Sequence, residues 1–114
     1  PYVVLEKVRH GDRNVEVSVP NVANWQDHTP VLVDDIVSTG RTMMETMAHL
    51  RAADMRPAIC VSVHGLFSGD AYPALQAAGA AQIVTTNSVP HPTNGIDLTG
   101  LLAAAVREHL ESSV

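Results

Sequence analysis

The chain has 114 residues, of which 46% are hydrophobic, 17% charged and only 4% aromatic, a composition that suits one modest domain with an aliphatic core and excludes a disordered segment. Seven basic against twelve acidic residues leave a net charge of −5, which excludes a general nucleic-acid binder with its basic face. No apolar run approaches the ~20 residues of a membrane span, no signal-peptide pattern is present, and a lone cysteine, Cys60, excludes an internal disulfide and fits a reducing cytoplasm. The first residues, Pro1-Tyr2-Val3-Val4-Leu5-Glu6, already lie inside a strand-like run with no starting methionine. The chain therefore reads as a single domain over 1–114 that forms the C-terminal part of a longer polypeptide.

Taken in order, Tyr2 to Glu6 reads as a short strand. Lys7 to Asn14 is polar, carries Gly11 and Asn14, and reads as an exposed loop. Val15 to Val19 alternates apolar and polar, the pattern of a half-buried strand. The three together predict a hairpin or flap with Lys7, Arg9, His10 and Arg13 near its tip. Basic residues on a flap can close over a polyphosphate and meet charge in the transition state; the other reading is an ordinary solvated turn. Pro20 to Pro30 reads as a connection, with Trp25 against the edge of the domain and His28 on the surface.

The most informative stretch is Val31-Leu32-Val33-Asp34-Asp35-Ile36-Val37-Ser38-Thr39-Gly40-Arg41-Thr42. It opens as a buried strand, taken here as the central one. Two carboxylates follow, then a Ser/Thr/Gly loop, then a helix pattern. Backbone N–H groups at a helix start, the helix dipole and the hydroxyls of Ser38, Thr39 and Thr42 suit a phosphate. Gly40 lets the backbone come close. Asp34 and Asp35 repel phosphate but suit sugar hydroxyls or a bridging cation. The plainer reading is a solvated loop with a hydroxyl as helix cap. Arg41 stands where a cation is unfavourable unless an anion is near.

A helix is predicted from Arg41 to Ala53, with Met43, Met47 and Leu50 on its apolar face and Thr42-x-x-Glu45 as a capping box. Ala58 to Val63 is a nearly continuous apolar run, the mark of a strand buried on both faces, with Cys60 an inert core residue. At its end come His64, either lining a site or capping the strand, and Ser68 or Asp70 as the cap of a helix that stops near Gly79. Gln82 to Thr85 predicts a strand, Thr86 to Pro90 a turn, and Ile96 to Leu98 a short strand. A last helix, capped by Thr99, presents Leu102, Ala105, Val106, His109 and Leu110, and the tail from Glu111 frays. This order predicts an α/β, three-layer fold: a mostly parallel sheet with helices on both faces.

Val33-Asp34-Asp35-Ile36-Val37-Ser38-Thr39-Gly40-Arg41-Thr42 resembles the phosphoribosyl-diphosphate loop of the type I phosphoribosyltransferase fold. Lys7-Val8-Arg9 resembles the Lys-x-Arg of the flexible catalytic loop in ribose-phosphate pyrophosphokinases, Val63-His64-Gly65-Leu66-Phe67-Ser68-Gly69 their Thr-His-Gly-x-Phe-Ser-Gly, and Thr86-Asn87-Ser88-Val89-Pro90 their Thr-Asn-Thr-Ile-Pro. The resemblance implies transfer of diphosphate from ATP to ribose 5-phosphate, giving phosphoribosyl diphosphate and AMP, with Mg²⁺, in a cytoplasmic homo-oligomer. It implies Ser38, Thr39, Gly40, Arg41 and Thr42 on the 5-phosphate, Asp34 and Asp35 on the ribose hydroxyls, and Lys7 and Arg9 on the diphosphate, with His64 and Ser68 lining the site. It implies no metal ligands in this chain, since the family's nucleotide and metal residues lie in its N-terminal half. Ser38 replaces the Asp that many members carry, and Arg41 replaces a small residue; Ser-Thr-Gly forms also occur in the transferases. Two rival readings follow: a phosphoribosyltransferase that consumes the diphosphate, and a non-catalytic protein that regulates an active synthetase.

Overall fold

The alternating apolar residues of the N-terminal region need an antiparallel partner, and they take it from the basic stretch itself. Strand β1 is Glu6–His10 and β2 is Asn14–Ser18, paired so that Lys7 lies opposite Val17 and Arg9 opposite Val15. The computed structural model describes residues 1–10, 14–19 and 21–113, with the side chains at 8–10, 14 and 15 left outside that description. The hairpin is thus displaced from expectation: Tyr2 to Leu5 forms no strand, and Lys7 and Arg9 stand on one rather than in a loop. The side chain of Arg9, and all of Arg13, fall outside the described residues. Val17 anchors the ribbon: it is buried, and its N–H donates to Glu45 Oε1 at 3.2 Å.

The remaining elements are β3 (Val31–Val37), α1 (Arg41–Ala52), β4 (Ile59–Gly65), α2 (Ala71–Ala77), β5 (Gln82–Thr86), β6 (Asn94–Ile96) and α3 (Thr99–Ser112). The four strands form a parallel sheet in the order β3-β4-β5-β6. Register sets Leu32, Cys60 and Ile83 side by side. On that face α1 and α2 close the core with Met43, Met47, Leu50, Ala71 and Leu75. Cys60 Sγ lies 3.9 Å from Met47 Sδ, and burial pushes its thiol up to about 11, so it is an inert core residue as expected. The α/β class and the parallel sheet flanked by helices match the sequence reading.

Several expectations differ from the structure. Val31 and Val33 belong to the opposite face and are 54% and 76% exposed; Val63 is exposed there too. Among the described residues no helix covers that face, so the apolar runs of β3 and β4 are buried on one side only, and β3 is the outer strand of the sheet, not a central one. Helix α3 has no buried residue, so its stripe Leu102, Val106, Leu110 lies open. It runs on to Ser112 instead of fraying at Glu111. Strand β6 begins two residues earlier than predicted. Trp25 stays exposed and meets His28 edge-on at 5.3 Å. No helix among the described residues is long and apolar enough to cross a membrane.

α3 is tethered through its start. Asp97 Oδ1 accepts Thr99 N–H at 2.8 Å and Asn87 Nδ2 at 2.9 Å, while Asn87 Oδ1 accepts Leu98 N–H at 2.9 Å. Bonds from the Thr99 hydroxyl, the Thr99 N–H and Asn87 hold the Asp97 carboxyl below its ordinary 3.8. A group whose folded value is depressed contributes stability above its unfolded value and loses it as pH falls through the folded one. Helicity followed by circular dichroism is therefore expected to drop on acidification below pH 3.8, and Asp97→Asn should shrink that acid limb. An identical limb in the variant would assign the loss to other carboxylates.

Candidate phosphosugar site

At the C-terminal end of β3 the chain turns sharply into α1. Gly40 makes the turn at φ 75°, in the left-handed region that glycine adopts freely, and a Cβ there would stand 3.3 Å from Leu75 Cδ1 and Cγ. Gly40 is also the N-cap of α1, and no side chain caps the helix. The predicted capping box does not form: the helix starts from a left-handed glycine, and Glu45 turns to Val17 N–H. Thr39 Oγ1 receives Arg41 N–H at a long 3.5 Å. The first turn carries no acidic residue. An uncapped start with Ser38, Thr39 and Thr42 beside it leaves N–H and O–H donors for an anion. The exposed Arg41 adds a positive charge.

The two carboxylates are aimed by their own backbone. Asp34 Oδ1 accepts Asp35 N–H at 2.8 Å, and Asp35 Oδ1 accepts Ile36 N–H at 2.8 Å. The Asp34 side chain first, then the Ile36 N–H, holds the Asp35 carboxyl below its ordinary value. An ionised carboxylate only accepts hydrogen bonds, which is what a sugar hydroxyl requires.

The segment after β4 is clamped onto this loop. Leu66 and Phe67 donate their N–H groups to Val37 O at 3.0 and 3.1 Å, and Ser68 N–H donates to Ser38 O at 2.8 Å. The hydroxyls of Ser38 and Ser68 meet at 2.5 Å. Phe67 takes φ 47°, an unusual angle for an aromatic residue, and its ring packs on His91 at 4.4 Å and Tyr72 at 5.5 Å. Gly65 leaves room for that ring, since a Cβ would come within 2.6 Å of Phe67 Cε2. His64, next to the same strand end, places Nδ1 2.8 Å from Ser88 Oγ.

Ser38 and Ser68 are therefore joined, Thr39 to Thr42 follow Ser38 in the same turn, Asp34 and Asp35 precede it on β3, and His64 stands opposite Ile36 on β4. Lys7 lies on the separate hairpin, and no hydrogen bond or ion pair among the described residues joins it to the loop. Tyr72 and His91, which brace Phe67, escape the sequence reading. His91 stands between Pro90 and Pro92 in what looks like a plain turn, and no local pattern ties it to residue 67.

These features define an α/β domain with polar loops collected at the C-terminal ends of parallel strands, where ligands bind in such sheets. The Phosphoribosyl transferase domain family matches residues 1–96, and the chain belongs to that family. The ribose-phosphate pyrophosphokinases of Sulfurisphaera tokodaii and Sulfolobus acidocaldarius are each 33% identical over 109 residues, 94% of this chain and 37% of theirs. That of Prochlorococcus marinus is 30% identical over 123 residues, covering all of this chain and 37% of its own. The structure of phosphoribosylpyrophosphate synthetase from Mycobacterium smegmatis superposes with a TM-score of 0.67 at 26% identity, over 90% of this chain and 36% of that one. The chain thus spans little more than a third of the length of these relatives.

Ser68→Ala removes the hydroxyl that holds Ser38. It should lower stability by about 1 kcal/mol in urea denaturation. Unchanged stability would show that the contact between the two hydroxyls contributes nothing.

Proposed function

We propose that this chain is the phosphoribosyl portion of a ribose-phosphate pyrophosphokinase, a single domain that binds ribose 5-phosphate and supplies a catalytic flap. The observation that carries the reading is the uncapped start of α1, ringed by hydroxyls and directly preceded by two carboxylates aimed by their own backbone. Ser38, Thr39, Gly40, Arg41 and Thr42 hold the 5-phosphate; Asp34 and Asp35 hold the ribose hydroxyls. Lys7 and Arg9 stabilise the diphosphate as it passes from ATP to the 1-hydroxyl of the sugar and AMP departs. The sugar hydroxyl is the nucleophile, so the protein's tasks are positioning and charge stabilisation. The names of the relatives favour this over a transferase that consumes phosphoribosyl diphosphate.

Mg²⁺ accompanies the polyphosphate in this reading. No three His, Cys, Asp or Glu side chains come together as a metal site among the described residues. In this reading the ion's ligands are mostly phosphate oxygens and groups outside this chain. ATP and ribose 5-phosphate are the ligands, a homo-oligomer is the assembly, and the cytoplasm is the setting.

Calorimetric titration with ribose 5-phosphate is expected to show binding that ribose lacks and that Thr42→Ala weakens. Equal affinity for ribose would remove the phosphate from the site. In the longer polypeptide, Lys7→Ala is expected to cut turnover about 100-fold or more while sparing sugar-phosphate affinity. Undiminished turnover would take the flap out of the mechanism and favour the non-catalytic reading.

A further inference from the structure

Ser88 Oγ makes two contacts, to His64 Nδ1 at 2.8 Å and to the carbonyl oxygen of Val63 at 3.1 Å. A serine hydroxyl has one hydrogen, and a carbonyl can only accept. If both contacts are hydrogen bonds, Ser88 spends its hydrogen on Val63 and must accept from His64. Nδ1 then carries a proton. The reverse arrangement would leave two oxygens facing each other at 3.1 Å with no hydrogen between them. Ser88 is itself fixed, because its N–H donates to Thr86 Oγ1 at 3.2 Å and Thr86 Oγ1 donates to the same Val63 carbonyl at 2.6 Å.

A neutral imidazole with its proton on Nδ1 has a bare lone pair on Nε2. Register places His64 opposite Ile36, one residue beyond Asp35, on the neighbouring strand. His64 is half-buried, and among the described residues no hydrogen bond is made by its Nε2. Two acceptors at one strand end match a vicinal diol, whose two hydroxyls each have a hydrogen to donate.

We infer that His64 binds a ribose hydroxyl through Nε2 as a second acceptor beside the Asp34–Asp35 pair, and that Ser88 is the positioning residue that fixes its tautomer. The inference rests on the phosphosugar reading of the Asp34–Thr42 loop. It gives the turn at Thr86 to Pro90 a task, that of holding one ring in one protonation pattern.

The test uses the 114-residue chain labelled with ¹⁵N. Two-bond ¹H–¹⁵N correlation at neutral pH reports which ring nitrogen carries the proton, with the His64 signals identified by their loss in His64→Asn. The Nδ1–H form is expected, mixed with its tautomer in Ser88→Ala, and the Nε2 resonance should shift when ribose 5-phosphate is added. Asparagine keeps a donor where Nδ1 stood and has nothing at Nε2; glutamine places an amide oxygen near Nε2. In calorimetry His64→Asn should weaken ribose 5-phosphate binding by about 3- to 10-fold, while His64→Gln stays within about 2-fold of the parent. An Nε2–H or doubly protonated ring, or full affinity in His64→Asn, overturns the inference with the phosphosugar reading intact. An Nδ1–H ring in a chain with no affinity for ribose 5-phosphate overturns the phosphosugar reading together with the hydroxyl-binding role, and leaves only the tautomer.

Discussion

The carbonyl of Val37 receives N–H groups from both Leu66 and Phe67, and one residue on, Ser38 is bound to Ser68 through backbone and side chain alike. These bonds run between the loops that leave two adjacent parallel strands. They convert two short segments, each flexible by composition, into one surface. The loop after β3 has few other restraints: its glycine is left-handed and its helix start is uncapped. Without the neighbouring loop its hydroxyls would have no fixed direction, and preorganised donors are what an anion site depends on.

That clamp has a cost, which the structure shows at Phe67. A positive φ in an aromatic residue is unfavourable by about 1–2 kcal/mol. Packing of its ring against His91 and Tyr72 offsets this, and the absence of a side chain at Gly65 makes the packing possible. Strain beside the turn into α1, balanced by packing away from it, is how a loop holds a conformation that its own residues disfavour.

The sequence made the loop legible because the signal is local. Asp34 to Thr42 places carboxylates, glycine, hydroxyls and a helix start in consecutive positions, and α1, α2, β4 and β5 follow from apolar spacing and from Pro and Gly punctuation. What failed was non-local. A run of valines looks the same whether one face or two will be covered, so Val31 and Val33 read as core. The stripe on α3 is a true helical periodicity, but periodicity does not say whether a partner is present. The capping box at Thr42 lost to a left-handed glycine and to a distant N–H from Val17, which no window of four residues contains. His91 drew no attention for the same reason: its partner Phe67 lies more than twenty positions earlier in the chain, as does His64, the partner of Ser88.

The position of Asp34 and Asp35 has a consequence for how the molecule behaves in company. They lie on the outermost strand of the main sheet among the described residues, beside valines that face water. An open strand edge with apolar neighbours is a template on which a second copy can add itself. Two adjacent negative charges on each copy oppose that stacking. Without those charges the edge loses its guard.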